Sequence, residues 1–326
     1  MRKAFTTSKQ TTYAKRHFFV ALTLAVQVFL LPQCYAAPFS FGVIAHTHEA
    51  APDDAVLREA ISASDTDNLA FVVVNGIKAN DEACSDQLYM RRMALFNKAK
   101  NGLIVSVAAS DWSACRAENG QSLAIERLNR IRELFYGNDF SFGASKLPIT
   151  RQARTPKFRT YSENLRWEID KVIFATVNLP ADNNHFIYAA GRNGEFEDRM
   201  IADRAWLHRV FTSAMHRNAA GIVLFVDGNP LAATAGKPSN SSSPYRDGFV
   251  EVRQHIQELA RRFNGKVMLV HGQDVGNAAF ANIITWQGNI GSLHLSAGWQ
   301  KITVDTTLSK LFRIGVELPA TKVATP

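Results

Sequence analysis

Phe41-Gly42-Val43-Ile44-Ala45-His46-Thr47-His48 sets the pattern for the rest of the chain, because an apolar run of strand length stops on two histidines. Nothing polar alternates within Phe41 to Ile44, which is the composition of a strand covered on both faces. Runs of the same kind recur at Leu69 to Val74, Leu103 to Ala108, Val172 to Val177, Gly221 to Val226 and Lys266 to Val270. Between several of them the apolar spacing changes to the helical period. Asp53 to Ser64 places Val56, Leu57, Ala60 and Ile61 on one face, and Ser122 to Phe135 carries Leu123, Leu128, Ile131 and Leu134 behind a serine cap. Glu195 to His216 and Gly248 to Phe263 are longer helical patterns. Strand and helix in alternation predict an α/β layered fold.

The tail from Asn282 to Leu318 reads differently. Ile283 to Trp286, Ser292 to Leu295, Lys301 to Asp305 and Phe312 to Val316 are closely spaced β-like runs, which predict antiparallel strands finishing a second sheet. Ala232 to Pro244, with its Ser, Asn, Gly and Pro, reads as an exposed loop.

Upstream, residues 1–37 have the three parts of a secretory signal peptide. These are a basic stretch (Arg2, Lys3, Lys9, Lys15, Arg16), the apolar run Phe18 to Leu31, and Pro32 followed by Ala36-Ala37. The apolar run is short for a bilayer span and Gln27 interrupts it, so cleavage is read in preference to an anchor. The expected location is exported, periplasmic or secreted, with no membrane span after cleavage. The leader holds five of the basic residues behind the net charge of +8 and no acidic ones, leaving +3 for the mature chain. So mixed a surface excludes an electrostatic footprint for nucleic acid. The remaining chain of about 290 residues, without a repeat or a long linker, is expected to be a single domain over 38–326.

Cys34 leaves with the leader, so the mature chain keeps Cys84 and Cys115. In an oxidising compartment such a pair is a candidate disulfide; two buried free thiols are the alternative.

In an α/β protein ligands gather beyond the carboxyl ends of the strands. Those ends here are His46-Thr47-His48, Asn75-Gly76-Ile77-Lys78, Ser110-Asp111-Trp112, Asp227-Gly228-Asn229-Pro230 and His271-Gly272-Gln273-Asp274. Other catalytic arrangements are missing: there is no Gly-x-Ser-x-Gly elbow and no phosphate-cradling P-loop. Trp167, Trp206, Trp286 and Trp299 would line a cleft or fill the core, and Trp206, inside a helical stripe, is read as core.

Together with Phe41-Gly42-Val43-Ile44, Ala70-Phe71-Val72-Val73, Cys84-Ser85-Asp86, Leu95-Phe96-Asn97, Glu126-Arg127-Leu128 and Glu163-Asn164-Leu165-Arg166-Trp167, this ordered series resembles the exported branch of the calcineurin-like metallophosphoesterase superfamily. The resemblance spans nearly the whole mature chain. It implies two packed β-sheets flanked by helices, a four-layer α/β sandwich, and it favours the Cys84–Cys115 disulfide. The family hydrolyses phosphate esters with two divalent metals that clamp the substrate and generate a hydroxide.

The metal motifs depart from that pattern. The family's first motif is an Asp with a His two residues on, and His46 and His48 stand there. Its second, Gly-Asp, supplies the carboxylate that bridges the metals, and here Gly76 is followed by Ile77. Its third carries an Asn that Ala109-Ser110-Asp111-Trp112 lacks, and in the last His271-Gly272 is followed by Gln273, Asp274 and Val275. Without a bridging anion two cations repel each other across a shared site. The remaining candidates for a single divalent ion (Mn, Zn or Fe) are His46, His48, Asp111, Asp227, His271 and Asp274; the other expectation is no metal, with the acids capping loops and the histidines hydrogen-bonded.

Two functions follow as expectations. One is a non-catalytic relative that binds a small-molecule or phosphate-bearing ligand, or a partner. The other is an active phosphoesterase with a mononuclear centre of His46, His48, Asp111 and His271.

Overall fold

Every residue of Gly221–Val226 is buried, and so is every residue of Val172–Thr176, as strands with helices or a second sheet on both sides require. The computed structural model describes residues 37–48, 54–187, 193–232, 246–273 and 282–315. The leader ahead of Ala37, nearly all of the Ala232 to Pro244 loop, and Asp274 lie outside the described residues. Contacts from Pro38 onward group as one compact unit.

The strands are β1 (Phe39–Ala45), β2 (Val72–Asn75), β3 (Leu103–Ser106), β4 (Thr150–Arg151), β5 (Leu165–Ile169), β6 (Val172–Thr176), β7 (Gly221–Val226), β8 (Lys266–His271), β9 (Ile284–Gln287), β10 (Ile290–His294), β11 (Gly298–Val304) and β12 (Phe312–Ile314). They form two sheets, of order β12-β11-β1-β2-β3 and β4-β5-β6-β7-β8-β10-β9. The α-helices are α1 (Ala55–Asp65), α2 (Asp86–Asn97), α3 (Ala109–Trp112), α4 (Ala124–Phe135), α5 (Gly194–His216) and α6 (Val250–Arg261). This is the expected α/β architecture of two sheets flanked by helices.

Aromatic side chains fill the space between the sheets. Phe41 and Phe71 come from the β1 and β2 side, and Trp167, Phe174 and Phe225 from the other; ring centroids lie 4.8 Å apart for Phe71 and Phe174 and 5.3 Å for Phe41 and Phe174. Trp167 is therefore core, and so is Trp206, which packs α5 on the outer face and donates its indole N–H to the Thr176 carbonyl. Burying each such ring contributes about 2 to 3 kcal/mol. A polar network also lies under α5. Arg199, fully buried, donates to Glu195, to Asn184 and to the Asn178 carbonyl, with Asp203 3.7 Å away; Arg132 grips Glu163 with two nitrogens.

One expectation needs correction. The tail does not finish one sheet: β9 and β10 extend the seven-stranded sheet, with β10 parallel to β8, while β11 and β12 join the five-stranded one through β1. Helix α2 had no expectation to meet, because its buried position between Tyr89 and Phe96 is Arg92, paired with Asp54 at 3.0 Å and Glu82 at 2.6 Å. His46 has a φ of 52° and turns the chain at the end of β1. Among the described residues no helix is long and apolar enough to cross a membrane.

Candidate functional site

The parallel strands β1, β2 and β3 of one sheet and β6, β7 and β8 of the other send their carboxyl-terminal loops to one place, and side chains tie these loops together. After β7, Asp227 accepts the backbone N–H of Ala109 at 2.7 Å, from the loop after β3, and that of Ala181 at 2.8 Å, from the loop after β6. Its other oxygen faces the Asn75 amide at 3.5 Å, at the end of β2. Asp111, with no solvent exposure, accepts the N–H groups of Ile77 at 2.7 Å and Lys78 at 3.1 Å on one oxygen and that of Ala108 at 2.8 Å on the other. Successive N–H groups in the turn Gly76-Ile77-Lys78 make a concavity suited to an anion, and Asp111 occupies it. The turn needs Gly76, whose φ is 84° and where a Cβ would press on Ala108 at 3.3 Å. Burial pushes the Asp111 carboxyl up to about 7, while its three N–H donors pull the other way. Burial raises Asp227 as well, against its own N–H donors.

Lys78 is the cation of the cluster. It is 2 % exposed, and its ammonium donates to the carbonyls of Ala79 and Ser110. Burial lowers its pKa and the Asp111 carboxylate opposes that. The disulfide Cys84–Cys115, with Cα atoms 5.9 Å apart, joins the segment following Lys78 to the segment following α3. Beside it the Tyr89 hydroxyl donates to the Asp111 carbonyl at 2.7 Å.

The loops enclose a cleft of about 460 Å³ whose walls include His46, His48, Asn75, Lys78, Ser110, Asp227 and Gln273. Neither ring nitrogen of His48 has a hydrogen-bond partner of good geometry, although the Gly76 backbone lies near enough to pull its pKa partly back. Burial, then the Arg92 guanidinium, lower His48 to about 3, so its ring is neutral. Behind the cleft, His271 shares a hydrogen bond of 3.1 Å with the Ser292 hydroxyl, and burial, then His294, bring it to about 3. His294 links His46 and His271, with ring centroids 6.2 and 5.6 Å away. His271 and His294 border a second cleft of about 540 Å³ toward β9 and α6.

The six candidate ligands thus divide. His46, His48 and Asp227 meet at the first cleft, Asp111 lies sealed beneath it, His271 faces the second, and Asp274 lies outside the described residues. Among the described residues no group of three or more His, Cys, Asp or Glu side chains is arranged to hold a metal ion. A two-metal centre does not fit this donor set. Asp111 and Asp227 face backbone N–H groups, Ile77 after Gly76 is apolar and buried, and an ammonium is already present. Compared with known proteins, the chain matches no family model and no curated protein.

Sequence reasoning passed over Lys78 and His294. A lysine in an exposed-looking loop gives no sign that its ammonium turns inward. His294 ends a strand whose parallel pairing with β8, His294 opposite His271, is visible only in the sheet.

Proposed function

We propose that the protein is an exported, metallophosphoesterase-like binding protein, which holds a small-molecule or phosphate-bearing ligand in the strand-end cleft without hydrolysing it. The observation that carries this reading is the commitment of Asp111 and Asp227 to backbone N–H groups, with the Lys78 ammonium held by the Ser110 carbonyl beside Asp111. A pair of divalent ions brings about four positive charges and needs carboxylates with free lone pairs close by. The resemblance of the strand-end series supports the metallophosphoesterase-like part of this reading, and the leader-like residues 1–37 together with the Cys84–Cys115 bridge support export.

Elemental analysis of the purified mature protein, run beside hydrolysis of an aryl phosphate with added manganese, zinc or iron, tests the reading. The expected result is metal well below one ion per chain and no metal-dependent turnover. Two ions per chain with turnover that follows the metal would overturn it.

A further inference from the structure

The resemblance reserves the strand-end loops for metal ions, and among the described residues there no group of three or more metal-ligating side chains forms. What they hold instead is reciprocal. The Asp111 carboxylate, on α3, takes the backbone N–H groups of Ile77 and Lys78 in the loop after β2. In return the Lys78 ammonium, from that loop, donates to the Ser110 carbonyl on α3, as well as to Ala79 in its own turn. Anion and cation each cap the backbone of the other's segment. Carbonyl oxygens converging on a buried positive charge, with a carboxylate close by, are the surroundings a protein gives a hard cation. Here the cation is covalently part of the chain. Carboxylates at Asp111, Glu82 and Asp81 support the charge, and Arg92 opposes it.

We propose that Lys78 is a built-in counter-cation, a positioning residue whose ammonium does for these loops what a bound ion would do and so fixes the wall of the cleft. The inference rests on the binding reading above and deepens it. An ammonium taken out of water with only partial compensation is costly, so the chain must recover that cost through the two carbonyl bonds and the nearby carboxylates. Lost charge, and not lost packing, should therefore dominate the effect of substitution.

Three variants separate those terms. Lys78→Met keeps the apolar stem and removes the charge; it should unfold at a temperature lower by about 5 °C or more, because the buried carbonyls of Ala79 and Ser110 lose their charged donor and Asp111 loses its nearby cation. Lys78→Ala removes stem and charge together, leaving room for an added amine. Propylammonium chloride should recover at least half of the lost melting temperature in Lys78→Ala and little in Lys78→Met, while tetramethylammonium chloride at equal ionic strength recovers neither. Lys78→Arg, which keeps a charge on a wider head group, should fall between wild type and Lys78→Met. A Lys78→Met protein as stable as wild type, or a propylammonium effect no larger than the salt control, would sink the idea.

Should the variants not fold, the native protein still decides. Under brief acetylation followed by peptide mass spectrometry, Lys78 should be modified at least tenfold more slowly than Lys98 or Lys310, and equal labelling would refute the buried ammonium. These readouts are independent of metal content and phosphatase turnover. Failure of the Lys78 inference leaves the binding reading standing, and metal-dependent turnover in the wild type would remove the binding reading whatever Lys78 does.

Discussion

At the strand ends, Asp111 and Asp227 are held by backbone N–H groups, whereas under α5 Glu163 and Glu195 are held by the guanidinium groups of Arg132 and Arg199. Both regions bury carboxylates, yet each carries a different liability. An acid clasped by backbone amides organises loops, and cutting it back orphans N–H groups without leaving a stray charge. An acid clasped by an arginine shares its charge with one partner, and loss of that partner strands it in low dielectric.

Arg199→Met should therefore be the most damaging of the changes considered, because it leaves Glu195 and Asp203 without their guanidinium; the expected loss is about 3 to 5 kcal/mol in chemical denaturation. If the loss proved under 1 kcal/mol, the contrast between the two regions would collapse. The strand-end side has a covalent reinforcement, and the paired change Cys84→Ser with Cys115→Ser opens a loop of sequence separation 31, for an expected cost of about 2 to 4 kcal/mol. Comparing that variant with wild type under non-reducing conditions checks it, after mass spectrometry of alkylated peptides has confirmed the bridge. Asp227→Ala removes the oxygen that serves both Ala109 and Ala181; about 2 kcal/mol should go, and amide exchange should quicken at those two residues.

The remaining effect is in pH. His271 titrates near 3 in the folded protein, below the ordinary 6.5, so the stability it contributes is present above pH 6.5 and is lost as pH falls toward 3, at no more than about 1.4 kcal/mol per pH unit. Asp203 has the opposite sign. Burial lifts it to about 7, so its contribution is present below pH 3.8 and is lost as pH rises through 7. Melting temperatures across pH 4 to 6.5 should show a shallower acid limb for His271→Gln than for wild type. An unchanged limb would mean that the buried imidazole is not the group being protonated.

The sheets were legible because their central strands are covered on both faces, and an unbroken run such as Gly221 to Val226 has few other homes. The loop positions after them were legible for the same reason. What each loop residue does there was not. Asp111 as a clasp depends on the N–H groups of a turn 33 and 34 positions away in sequence, and Lys78 as its counterpart depends on the Ser110 carbonyl. Neither partner is a side chain, so no motif of side-chain types encodes them. Helix α2 escaped because Arg92, a charged residue, occupies its buried stripe, and that position makes sense only once Asp54 and Glu82 are in place.

The pairing of β1 with β11, Phe39 opposite Val304, bears on how the chain reaches this structure. The first strand of the domain stays open along one edge until almost the last has been made, so a ribosome-bound chain presents that edge as a template for other extended segments. Sheet completion is thus a late and strongly non-local event. A chain stopped before Gly298 would leave Phe39–Ala45 without its antiparallel neighbour, and aggregation of such a fragment is the expected fate.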